Sequence, residues 1–175
     1  MRKAGVFLLG VLAAGLAGFV FALVFIYSGV YDIAASSGHY APTAWVLDTV
    51  KVQSIRRHAP SAVALEGASA EEGVSEYQEM CAVCHGAPGS PRGVIGQGLL
   101  PEPPEMPEVV EEFKPGEIYW VVMNGIKMTG MPAFGATSPE QELKNVVAFV
   151  VEKIRAMSPA EYDAALQSSE MDRNQ

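Results

Sequence analysis

The residues best suited to chemistry stand five in a row, Cys81-Ala82-Val83-Cys84-His85, and include the only two cysteines in 175 residues. Thiols three positions apart lie about one helical turn apart, and the histidine follows directly. That spacing suits thioether attachment of a c-type haem through Cys81 and Cys84, with His85 projecting under the ring as the proximal iron ligand. Two rival uses of the motif ask for more than the chain offers. A structural zinc site wants four ligands, and no second cysteine pair or HxxxH occurs. A thioredoxin-like redox pair wants a βαβ setting, and no strand-period run is present.

An iron held by His85 needs a sixth ligand. The candidates are Met131, Met128, Met123, Met106, His39 and His58. Met131 stands in Gly130-Met131-Pro132-Ala133-Phe134-Gly135, a loop between two expected helices that can reach over the far haem face. Met128, three residues earlier, is equally soft and is the alternative. Met123 falls on the preceding helix, where core packing accounts for it. Thioether ligation raises the haem potential and closes the site, which suits electron transfer rather than substrate binding. No side chain is assigned a catalytic role.

The elements that must position these groups are helical. Ser69 with Glu72 is a capping-box signature, so a helix should open there and run to about Cys81. Pro88 to Pro107, rich in Gly and Pro, is expected to be irregular. A helix is expected over Phe113 to Asn124, with Pro115 near its start and Gly125 as its stop. Tyr119 and Trp120 on it should pack on the haem edge or core. Ser138, Pro139 and Gln141 predict a second capping box. The helix it opens carries Leu143, Val146, Val147, Val150 and Ile154 on one face. Ser158, Pro159 and Glu161 open a short last helix.

Ahead of this domain lies a different kind of segment. Ala4 to Tyr27 holds 24 residues without a charge, about 36 Å as a helix against a bilayer core of about 30 Å. It exceeds the roughly 7–15 residues of a signal-peptide core. Arg2 and Lys3 precede it, so the N-terminus is expected in the cytoplasm and the remainder outside. Gly10, Ala14 and Gly18 recur every fourth position and line a face where another membrane helix could pack. In the connector, Pro42 to His58 reads as a helix ending in Arg56, Arg57 and His58, with Pro60 stopping it. Tyr27, Tyr31, Tyr40 and Trp45 suit the headgroup level. Trp45 and the Arg56-Arg57 pair favour a docked arm over a loose leash. The expected organisation is 1–27 anchor, 28–67 connector, 68–168 haem domain and 169–175 frayed tail.

The formal net charge of −8 sets nucleic-acid partners aside. Between Glu66 and Glu117 eleven glutamates face only Arg92 and Lys114, either a solvated face or a docking face for a basic redox partner.

Gly73, Tyr77 and Cys81 are spaced as in the N-terminal helix of class I cytochromes c, where a Gly and an aromatic precede the first Cys by eight and four residues. Val146, Phe149 and Val150 resemble that family's C-terminal helix, and Gly130 to Gly135 is similar to its axial-methionine loop. More narrowly, Cys84-His85-Gly86-Ala87-Pro88-Gly89, the Gly98 to Pro104 run and Asn124 to Met131 resemble membrane-anchored bacterial monohaem cytochromes. The connector sequences Tyr31-Asp32-Ile33-Ala34-Ala35 and Ser54-Ile55-Arg56-Arg57-His58-Ala59 resemble that group too. The resemblance implies an all-α class I cytochrome c fold behind one transmembrane helix, one covalent haem c, and His85 with Met131 as axial ligands. It also implies that a proline-region carbonyl, here of Pro101 or Pro103, accepts the proximal imidazole N–H. The expected protein is a single-pass bacterial inner-membrane cytochrome with a periplasmic haem domain. It passes single electrons as a carrier or as a subunit of a membrane oxidoreductase complex, which the Gly10/Ala14/Gly18 face and the 28–60 arm could join. A haem enzyme or gas sensor would need an open sixth position, which Met131 argues against.

Overall fold

A helix that is apolar all round belongs in lipid or in a deep core, and the first element is of that kind. The structure, a computed structural model, describes residues 2–61, 65 and 67–173. The chain divides into two compact units, residues 1–37 and 38–175. In the first, α1 (Arg2–Ser28) is 27 residues long, about 40 Å at 1.5 Å per residue. It is long and apolar enough to cross a membrane. Beyond it Asp32 forms a tight turn, accepting the Ala34 N–H at 2.9 Å and the Ser37 hydroxyl at 2.6 Å.

The second unit begins with α2 (Ala41–His58), followed by α3 (Ala70–Met80), α4 (Ala82–His85), α5 (Val94–Gln97), α6 (Met106–Glu112), α7 (Pro115–Asn124), a 3₁₀ turn (Phe134–Ala136), α8 (Glu140–Glu152) and α9 (Pro159–Arg173). No named strand occurs among the described residues; Ala87 and Ser90 form an isolated bridge. The all-helical class expected from the sequence is what the chain adopts.

α8 is the centre, because both of its sides are apolar. One side meets α3: Val74 and Tyr77 bury against Val146, Phe149 and Val150. The rings of Tyr77 and Phe149 lie 5.3 Å apart, and Tyr162 of α9 closes over Phe149 at 6.1 Å. The other side meets α7, where Ile118 and Val122 pack on Leu143 and Val147. α3 can approach α8 this closely only because residue 73 is glycine. A Cβ there would overlap the Asn145 carbonyl and come within 2.9 Å of the Phe149 Cβ.

Asn145, which sequence reasoning passed over, is buried in this crossing. Its Oδ1 accepts the Ser69 N–H at 2.9 Å, and its Nδ2 donates to Glu72 at 2.9 Å and to Glu76 at 3.5 Å. Ser69 does cap α3, its hydroxyl accepting the Glu72 N–H at 3.1 Å. The Glu72 carboxylate reaches across to α8 rather than back to Ser69. The second expected capping box does not form. α8 opens at Glu140 without a side-chain cap, because Gln141 donates instead to the Gly67 carbonyl at 2.9 Å. At the start of α9 Ser158 N donates to Glu161 at 2.8 Å, and Glu161 N returns to the Ser158 hydroxyl. α9 has 15 residues and runs to Arg173, further than the short helix expected. The Gly/Pro stretch is also less irregular than its composition implied. The proline-free gap after Pro91 winds into α5, and Pro107 sits in the first turn of α6, where its missing N–H costs nothing.

The C-terminal half of α2 packs into the same unit. Ile55 is buried, the His58 ring stacks on Trp120 at 5.9 Å, and the Pro60 carbonyl lies against Gly116.

Glu76 is the one strained polar group of the crossing. Burial, with the like charges of Glu142, Glu72 and Glu79, raises its pKa to about 7 against the help of Asn145. Its Oε2 is buried without a partner. The folded chain therefore holds a proton that the unfolded chain has released, and stability falls as pH rises from about 4.5 toward 7. Glu76→Gln keeps an acceptor for Asn145 and removes the charge. It should raise the melting temperature at pH 8, with the gain shrinking toward pH 5, as thermal denaturation at the two pH values will read.

Candidate functional site

The Cys-x-x-Cys-His turn forms because α3 ends on its first residue. Cys81 N still bonds the Tyr77 carbonyl at 2.8 Å, while the Cys81 carbonyl accepts both Cys84 N at 3.0 Å and His85 N at 2.9 Å. α4 is thus a single turn that carries both thiols and the imidazole. Both cysteines are free, with Cys81 buried and Cys84 half-buried. Burial, and secondarily Cys84, push the Cys81 thiol up to about 12.

His85 is oriented by one hydrogen bond, Nδ1 to the Pro104 carbonyl at 2.8 Å. A carbonyl only accepts, so Nδ1 carries the proton and Nε2 keeps its lone pair for a metal. Burial, aided by the charge of Arg92 and opposed by the Pro104 bond, lowers the His85 pKa and favours neutral imidazole. The acceptor is Pro104, not Pro101 or Pro103 as expected. The Pro103 carbonyl is taken by Arg92 Nη1 at 3.0 Å. Arg92 also pairs with Glu102 at 2.7 Å and accepts Gln97 Nε2 on its own carbonyl at 2.7 Å. It holds the proline loop at the level of His85. Its one signal in the sequence was being a rare cation in an acidic stretch. Tyr77 braces the other side of the turn, its buried hydroxyl donating to the Gly86 carbonyl at 2.6 Å.

The methionine loop is folded on itself. Gly125 turns it with φ +64°, and a Cβ there would strike the Met131 carbonyl at 2.7 Å. Ile126 N bonds the Met131 carbonyl at 3.2 Å, and the Thr129 hydroxyl both donates to the Ile126 carbonyl at 2.8 Å and accepts Met131 N at 3.1 Å. The two candidate sulfurs part company here. Met131 is half-buried against the α7–α8 cluster with Met123 and Phe134. Met128 is 98% exposed, at φ +59°. Met106 is buried in the α3–α8 core. His58 is spent on Trp120 and on the Ser54 carbonyl at 2.8 Å, and His39 lies just before α2. The loops are joined by contact. Gly96 of α5 sits against the Cys84 carbonyl, and Leu99 beyond α5 lies against Gly130.

These groups fit an iron porphyrin: two unpaired thiols a turn apart, an imidazole with Nε2 free, and a thioether on a neighbouring loop. No cluster of three or more His, Cys, Asp or Glu that could hold a metal ion exists among the described residues. Tyr119 packs on the same α7–α8 cluster as Met131 and its hydroxyl donates to Glu140 at 3.1 Å, while the Trp120 ring stacks with His58. The acidic stretch is partly neutralised, since Glu71, Glu102 and Glu111 pair with Lys153, Arg92 and Arg155.

A family model described as "Cytochrome C oxidase, cbb3-type, subunit III" matches residues 68–150. No curated protein and no solved structure matches the chain. The match spans α3 to α8 and includes the turn, His85 and both methionines.

Tyr77→Phe tests the brace. It strips the donor from a buried carbonyl, which costs about 1–3 kcal/mol. Chemical denaturation should show that loss, with the denaturant slope unchanged.

Proposed function

We infer that this chain, whose residues 68–150 form a class I c-type cytochrome domain, is a membrane-anchored monohaem cytochrome that passes single electrons on the periplasmic side. α1 is the single-pass anchor in the bacterial inner membrane, with Arg2 and Lys3 cytoplasmic. The connector follows to residue 67 and the haem domain to about 168. The domain binds haem c and serves electron transfer. One haem per chain would be attached covalently through Cys81 and Cys84, with His85 and Met131 holding the iron.

The observation that carries it is the state of His85. An imidazole pinned by Nδ1 to the Pro104 carbonyl at 2.8 Å, with Nε2 uncommitted, is a ligand prepared for one axial position. Haem, when bound, supplies an iron that cycles between ferric and ferrous. The chain's own residues fix the imidazole, hold the Met131 loop and keep water from the iron. Because Met131 would close the sixth position, substrate chemistry at the metal is disfavoured, and the chain serves as carrier or as electron-entry subunit of a membrane oxidoreductase. Exposed Val83, Val94, Ile95 and Met128 lie on the three segments that frame the site.

The ligand assignment is tested by two variants and a visible spectrum. Met131→Ala should abolish the low-spin methionine signature of the oxidised form. Met128→Ala should leave it intact. The reverse pattern would transfer the role to Met128.

A further inference from the structure

α2 is two different surfaces in sequence along one helix. Its C-terminal half is packed, with Ile55 buried and Val52 half-buried. Its N-terminal half is bare. Every residue from 44 to 50 is exposed, and Trp45, Val46, Leu47 and Val50 keep between 47% and 69% of their surface open. The one charge among them, Asp48, is matched by Lys51 at 2.6 Å. Arg56 and Arg57 follow at the C-terminal end and are also exposed.

We propose that the N-terminal half of α2 lies in the headgroup layer of the bilayer that α1 crosses, its aliphatic side chains in lipid and Arg56 and Arg57 at anionic headgroups. The inference rests on α1 being the membrane anchor. Three observations select lipid as the cover. The first is reach: 12 residues separate Ser28 from Ala41, at most about 43 Å of extended chain, so the headgroup layer lies within range of α2. The second is composition. An indole beside three exposed aliphatics is what the membrane–water interface favours. The third is sign. A chain of net charge −8 is repelled by an anionic surface, yet α2 sets Lys51, Arg56 and Arg57 against Asp48 alone. It is a local cationic site on an acidic protein, and such sites are drawn to anionic lipid.

The test places a photo-crosslinker in the full haem-loaded chain in native membranes, as Leu47→p-benzoylphenylalanine, with Leu16→p-benzoylphenylalanine in α1 as its companion. Haem absorbance confirms that each variant is folded. On irradiation, mass spectrometry of the α2 peptide should find phospholipid adducts at position 47 in excess of protein adducts. An adduct chiefly with another polypeptide, or with a second copy of this chain, overturns the proposal, as does no adduct at 47 while 16 labels lipid. Failure of position 16 to label lipid would instead bring down the anchor, and this inference with it.

Discussion

Two helices in this chain touch with almost nothing between them, and the chemistry is built on that contact. At Gly73 the backbone of α3 comes against the Asn145 carbonyl of α8. Tyr77, one turn on, packs its ring at a tilt against Phe149, and one further turn reaches Cys81, where α3 stops. The crossing therefore fixes the starting point and direction of the attachment turn. Tyr77 belongs to both, since its ring fills the core while its hydroxyl ties down Gly86 just past His85. Any side chain at position 73 would have to part the helices, and the cost of overpacking such a contact is about 1–3 kcal/mol.

The parts that could be read from the sequence are those where a local rule and the tertiary structure agree. The Ser69 and Ser158 caps, the apolar face of α8, the CxxCH turn and the Gly125 stop are of this kind. Where they disagree, a longer-range partner won. Gln141 and Glu72 were read as capping their own helices, but Gln141 is drawn to Gly67 and Glu72 to Asn145. Asn145 carried no local signal, because a lone asparagine within a helix gives no hint of buried hydrogen bonds to another. The histidine's acceptor was missed by one residue. Among Pro101, Pro103 and Pro104, the register is set by Arg92 capturing the Pro103 carbonyl, a contact that sequence spacing does not encode. The sequence favours Met131 over Met128 by its place in the Gly130–Gly135 loop, and the two also differ in burial, Met131 half-buried and Met128 exposed.

The same reasoning joins the site to its surroundings. The arm that precedes the haem domain is neither a leash nor wholly absorbed. Its last two turns belong to the α7 side of the domain through Ile55 and His58, while its first half stays apolar and open. Ion pairing has already quenched part of the acidic stretch.

All of this presumes that Cys81 and Cys84 hold a porphyrin. The direct measurement is the intact mass of the chain purified from membranes under denaturing, acidic conditions, with tandem spectra of the peptide containing 81–85. The account predicts an increment of one haem that survives denaturation and localises to both sulfurs. A chain of unmodified mass, or one carrying an 81–84 disulfide, would contradict it.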